Sequence, residues 1–187
     1  MPVHAAGIYE GSGQECCADY VVSSYTPTLT ALIEARKGQA ACNIKQITLT
    51  ALAAATDVHS DMPRLRNVVP EARGVINIAK QAGASTHNDE GSTTMSELMA
   101  ILGSSQAVHL ACHGVQHSQE PHKSRFCLST GDLTMSKLMQ MDLKGAFLPY
   151  LSACETAKGN EKHADEVVHL AATMLFVGFK SVVATMW

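Results

Sequence analysis

The sequence has no run of 18 or more apolar residues, so it contains no segment of the length a membrane helix needs. It also lacks an excess of positive charge. Lys and Arg number 14 against 17 Asp and Glu, a formal net charge of -3, which leaves no electrostatic footprint for nucleic acid or an anionic membrane surface. The N-terminus has no basic stretch followed by an apolar one, so no secretory signal is predicted. No internal repeat or low-complexity tract is present, which argues against a solenoid or a linker. No cysteine pair has the short Cys-x2-Cys spacing of a structural zinc site.

What is present is the composition of a globular interior: 46% hydrophobic and 17% charged residues over 187 positions, enough for one full-sized domain. Six cysteines (Cys16, Cys17, Cys42, Cys112, Cys127 and Cys154) in a chain this long, with no secretory signal, read as free thiols in a reducing compartment. A cytoplasmic location is expected on that basis.

Residues 1–19 are rich in small residues and give little structural signal. The pattern Leu29, Leu32, Ile33 predicts a helix over 28–36, stopped by Gly38. An apolar, β-branched run over 44–54 predicts a buried strand, although its alanines would also suit a helix. Pro63 is expected to open a second helix, with Asp61 near its cap, running to Gln81 and closed by Gly83. A polar connection is expected over 85–93, then a helix over 94–102. Residues 107–112 read as a short strand ending in His113-Gly114, followed by a polar loop over 115–125. Thr134 caps a helix over 135–141, and residues 146–153 form the next strand, ending at Cys154. Asp165-Glu166 opens an apolar helix to Val177, Gly178 ends it, and a terminal strand follows. The alternation of strand and helix favours an α/β layer with a parallel sheet.

Parallel sheets place chemistry at the carboxyl ends of their strands. Two predicted strands end in reactive groups, one in the His113 imidazole and the other in the Cys154 thiol. If the strands are neighbours, the two residues share an edge despite lying 41 positions apart. A free cysteine with a pKa of ~8.5 is only slightly ionised at neutral pH, and a nearby imidazole can take its proton. Gly114 permits close backbone approach, and its N–H with that of Cys154 could serve an oxyanion.

Other readings compete. Cys112 adjoins His113, but successive strand residues point to opposite faces, which disfavours it as the nucleophile. Cys112, His113, His117, His122 and Cys127 cluster densely enough to raise zinc, against which the spacing argues; no metal or cofactor is expected. His109 and His169 fall within apolar runs and read as core histidines. Glu155, Asp165 and Glu166 are the weak candidates for lining a substrate pocket, although Asp165-Glu166 also suits a helix N-terminus.

Five ordered segments carry a family resemblance: Val108-His109-Leu110-Ala111-Cys112-His113-Gly114, Leu128-Ser129-Thr130-Gly131-Asp132-Leu133-Thr134, Leu151-Ser152-Ala153-Cys154-Glu155-Thr156, the stretch from Asp165 to Ala171, and Lys180 to Trp187. Together they resemble the CHAT domain, a relative of caspases and separases, and the stretch from Ser24 to Leu29 resembles the family's earlier helix-initiating motif. The resemblance implies one caspase-like three-layer α/β/α domain over 1–187 with a mostly parallel sheet, and a His113/Cys154 dyad. It implies a cysteine endopeptidase acting on a protein or peptide substrate through a thioester, or else a catalytically silent module serving protein interaction in a larger signalling assembly. Tetratricopeptide repeats often accompany such domains. Family members continue past the final tryptophan, so a chain truncated at its C-terminus is expected.

Overall fold

The computed structural model describes residues 6–8, 15–37, 43–55, 62–91, 93–117, 119–143, 146–153 and 170–185. Strands β1 (Gly7–Ile8) and β2 (Glu15–Cys16) form a small antiparallel pair in the stretch where the sequence gives little signal. Helix α1 (Leu29–Arg36) starts where Thr28 accepts the amide of Ala31 at 3.0 Å, an N-cap that satisfies an orphan donor. Its expected stop, Gly38, lies outside the described residues.

The body of the molecule is built on β3 (Thr48–Ala53), α2 (Val68–Gln81), β4 (Ser85–Asp89), α3 (Met95–Ser104) and β5 (Ala107–Ala111). Next come three short strands, β6 (His113–Val115), β7 (Arg125–Leu128) and β8 (Gly131–Thr134), then α4 (Met135–Leu138), β9 (Leu148–Ser152), α5 (Leu170–Phe176) and β10 (Val183–Ala184). Five strands pair in the order β10-β9-β5-β3-β4, all parallel, and β6-β7-β8 form a separate antiparallel sheet.

Alternation along β3 and β5 divides the core in two. Ala51, Ala53 and Ala111 face α2 and pack against Val68, Ala72 and Ile76. Leu52, Val108 and Leu110 face the other way, against Leu98 and Leu102 of α3, Leu170 and Met174 of α5, and Phe126, Leu128 and Leu133 of the antiparallel strands. Helices therefore cover both sides of a parallel sheet, the three-layer α/β/α arrangement expected. Among the described residues no helix is long and apolar enough to cross a membrane.

Several boundaries differ from the sequence reading. Helix α2 starts at Val68, not Pro63; Pro70, in its first turn, is the proline that tolerates the missing donor there. Asp61 lies outside the described residues. Gly83, at φ +90, closes the helix as expected, with the amide of Ala84 bonded to the Ala79 carbonyl. The polar stretch after it is strand β4, whose five residues Ser-Thr-His-Asn-Asp occupy one edge of the sheet; an edge strand does not need an apolar run. The expected strand over 44–54 is a 3-10 turn (Ile44–Gln46) followed by β3. The expected loop over 115–125 contains the end of β6, a 3-10 turn (Pro121–Lys123) and the start of β7. Helix α4 ends at Leu138, short of 141. Helix α3 begins with a capping box in which Thr94 and Glu97 satisfy each other's amides, and the Thr94 hydroxyl and amide hold the Glu97 carboxyl below its ordinary pKa.

Candidate active site

The connections leaving β3 and β5 run to opposite sides, from β3 to its neighbour β4 and from β5 towards its neighbour β9. Such a reversal opens a crevice at the carboxyl ends of the two strands, the usual place for a ligand in an open parallel sheet. The amide of Ala54 bonds the Ala111 carbonyl at 2.9 Å, which keeps the two strand ends together at that rim.

The β5–β9 ladder pairs Ala107 with Leu148 and Ala111 with Ser152, a constant offset of 41 residues. His113 and Cys154 are separated by the same number of positions in the sequence. The two strands are thus neighbours, and their pairing runs as far as Ala111 and Ser152. Cys154, Glu155, Asp165 and Glu166 lie outside the described residues, as do Cys42 and His169.

His113 does not end a strand, as the sequence suggested. The chain bends at Cys112, and His113 begins β6, pairing with Cys127 while Gly114 pairs with Phe126. His113 is only 9% exposed, and its Nε2 lies 2.8 Å from the carbonyl oxygen of Pro63. A carbonyl oxygen only accepts, so Nε2 carries the hydrogen and donates it; in the neutral ring Nδ1 then keeps the lone pair. This orienting group was not legible in the sequence, because a main-chain carbonyl has no side-chain signature.

Of the alternative candidates, Cys127 sits opposite His113 in the β6–β7 ladder and Cys112 adjoins it. Cys112 is buried in the core on the α3 and α5 side, and Cys127 is buried on β7. The His117 Nδ1 accepts the amide of Glu120 at 3.0 Å. Among the described residues no three or more His, Cys, Asp and Glu side chains gather where they could hold a metal ion.

His109, two turns of the pleat before His113, is a buried residue with a neighbour set of its own. Its ring stacks on Tyr150 of β9 with centroids 5.3 Å apart. Its Nε2 lies 3.1 Å from Glu71 Oε1, off the line of a well-formed hydrogen bond. Burial pushes the imidazole below its ordinary value of 6.5, and the partly exposed Glu71 carboxylate only partly opposes that shift. The unfolded chain therefore takes up a proton first as pH falls. Stability from this group is complete above pH 6.5 and drains away below it, down to the lowered folded value. The melting temperature is expected to fall between about pH 7 and about pH 5, more steeply than in a His109→Asn variant. Equal slopes in the two proteins would remove His109 as the cause.

A comparison with curated proteins finds no match to this chain. The family model of the CHAT domain matches residues 1–187, the whole length. With its parallel five-stranded sheet flanked by helices, the chain belongs to the CHAT domain family, which is related to caspase-like cysteine peptidases.

Proposed function

We propose that the protein is a cysteine endopeptidase in which His113 is the general base and Cys154 the nucleophile. The observation that carries this reading is the His113 ring, held by the Pro63 carbonyl beside the end of β5, one strand from the segment that leads into Cys154. An imidazole anchored through Nε2–H keeps Nδ1 as the basic nitrogen and cannot rotate freely.

The chemistry balances without a cofactor. The thiol proton passes to Nδ1, the sulfur attacks the carbonyl carbon of a peptide bond, and a tetrahedral oxyanion forms. The main-chain amides of Gly114 and Cys154 are the proposed oxyanion donors. Collapse breaks the C–N bond, the imidazolium returns its proton to the leaving amine, and a thioester remains on Cys154. Water, deprotonated at Nδ1, then releases the acid. Glu155, Asp165 and Glu166 are the proposed lining of the substrate pocket, and tetratricopeptide repeats are proposed regulatory neighbours.

The test is the rate at which iodoacetamide labels Cys154 in the full-length protein, read by mass spectrometry of the peptide that contains it. An active dyad is expected to label at least about 10-fold faster than a free cysteine at neutral pH, and the advantage should vanish in His113→Asn. Labelling at the rate of an ordinary thiol, indifferent to His113, is the result expected of a silent interaction module and would overturn the peptidase reading.

A further inference from the structure

We propose that Gly91 is a positioning residue for the His113 imidazole, acting through the hairpin of β7 and β8; the inference rests on the reading of His113 as the general base. Gly91 lies in the connection between β4 and α3 at φ +105, where an L side chain is strained. The space a side chain would need there is taken by the tip of the hairpin. A Cβ on Gly91 would lie 2.5 Å from the Cβ of Ser129 and 2.6 Å from its Oγ. Among the described residues, and apart from the chain neighbours of Gly91, nothing else comes within 4 Å of that point.

The connection is the fixed side of this contact. Asp89, at the end of β4 and 6% exposed, accepts the amides of Gly91 at 3.1 Å and Thr93 at 3.3 Å on one carboxylate oxygen. The capping box of Thr94 and Glu97 then fixes the start of α3. On the other side, Ser129 and Thr130 form the tip between the paired Leu128 and Gly131. Ser129 stands two residues from Cys127, which pairs with His113. Residues directly opposite in an antiparallel pair share one face, with Cβ atoms about 4.5–5.5 Å apart. Phe126 and Leu128 are buried in the core on either side of Cys127, and a close-packed interior transmits a displacement instead of absorbing it. A push at the tip therefore travels along β7 to the imidazole.

The distances set the scale. Relief of a 2.5 Å contact to the ordinary 3.4 Å needs a shift of about 0.9 Å. The bond from His113 Nε2 to the Pro63 carbonyl is 2.8 Å long and is lost by about 3.6 Å. A displacement of that size, passed on in full, is enough to break the anchor of the ring.

The test moves atoms from one side of the contact to the other. Gly91→Ala adds a methyl group to the connection, and Ser129→Gly removes the two atoms it would strike. Both are made singly and together in the full-length protein. The first readout is the factor by which iodoacetamide labels Cys154 faster than in the same background carrying His113→Asn. In that reaction a C–S bond forms, iodide leaves, and the thiol proton passes to the imidazole. Gly91→Ala is expected to cut a wild-type factor of about 10 or more to about 3 or less. The double variant should return to within about 2-fold of the wild type. Strain at φ +105 is common to both Gly91→Ala proteins, so it cancels between them. The second readout is exchange of the His113 Nε2–H with water, followed by NMR, expected to be at least about 10-fold faster in Gly91→Ala and to recover in the double variant. Wild-type labelling and exchange in Gly91→Ala would overturn the inference. So would a double variant that regains the melting temperature but neither of the two readouts. Should Gly91→Ala not fold, Ser129→Gly alone decides, since it loosens the contact without adding an atom: exchange more than about 2-fold faster than in the wild type supports the positioning role, and slower exchange than that overturns it. Wild-type labelling that is indifferent to His113 would overturn the peptidase reading, whereas the Nε2–H exchange still reports separately whether Gly91 positions the ring.

Discussion

Cleavage of its protein substrate by the full-length protein is expected to drop to background in Cys154→Ala, and by about 10³- to 10⁴-fold in His113→Asn. The two losses differ in kind. Without the sulfur there is no nucleophile and no thioester. Without the imidazole the thiol persists but is mostly protonated at neutral pH, so raising the pH should recover part of the His113→Asn rate as the thiol ionises on its own. The wild-type protein should gain much less from the same change. His113 is buried and bonded to the Pro63 carbonyl, so the melting temperature of the asparagine variant must be compared with the wild type before its rate is interpreted. A Cys154→Ala protein that still cuts at the wild-type rate would show that the chemistry lies elsewhere in the chain.

The second large effect is structural. Phe126 is 0% exposed, sits on the middle strand of the antiparallel sheet, and pairs in register with Gly114. Its ring belongs to the same core cluster as Leu110 of β5 and Leu151 of β9. Phe126→Ala is expected to cost about 3–5 kcal/mol through lost burial and the cavity left behind. At about 2–4 °C per kcal/mol for a domain of this size, the melting temperature should fall by roughly 6–20 °C. Because β7 also pairs with the residue that carries the imidazole, Cys154 labelling by iodoacetamide should lose part of its dependence on His113 even below the new melting point. A shift of less than about 2 °C would mean that the antiparallel strands contribute little to the core.

The middle strand β5 was legible because it is buried on both faces. Every residue from Ala107 to Ala111 is buried, and such a strand reads as a continuous apolar run. α2 was legible from its period, since Val68, Ala72, Ile76 and Ala79 are its buried positions, yet its start was misplaced because two prolines compete for the role and Pro70 fills it. β4 was not legible, since its residues are polar and its place at the edge imposes no pattern on them. The antiparallel strands were missed as well. They are three or four residues long, and β7 opens with Arg125, whose Nε lies 3.0 Å from the Asp132 carboxylate on β8. The turn at Ser129-Thr130, with Gly131 at φ +111, was the available sign of a hairpin. For the proposed site, His113 and its neighbour Gly114 stand out in the sequence because a buried apolar run precedes them. The Pro63 carbonyl does not, because it lies 50 residues away from His113 and only the folded chain brings the two together.

The parallel pairing of β5 with β9 has a further consequence, for the order of events on the ribosome. The imidazole-bearing segment emerges first, and its partner strand lies 41 residues behind it. At about 5–20 residues per second that distance takes on the order of 2–8 s to synthesise. Throughout that interval β5 has no β9 to pair with, so this edge of the parallel sheet closes only after the second strand has been made.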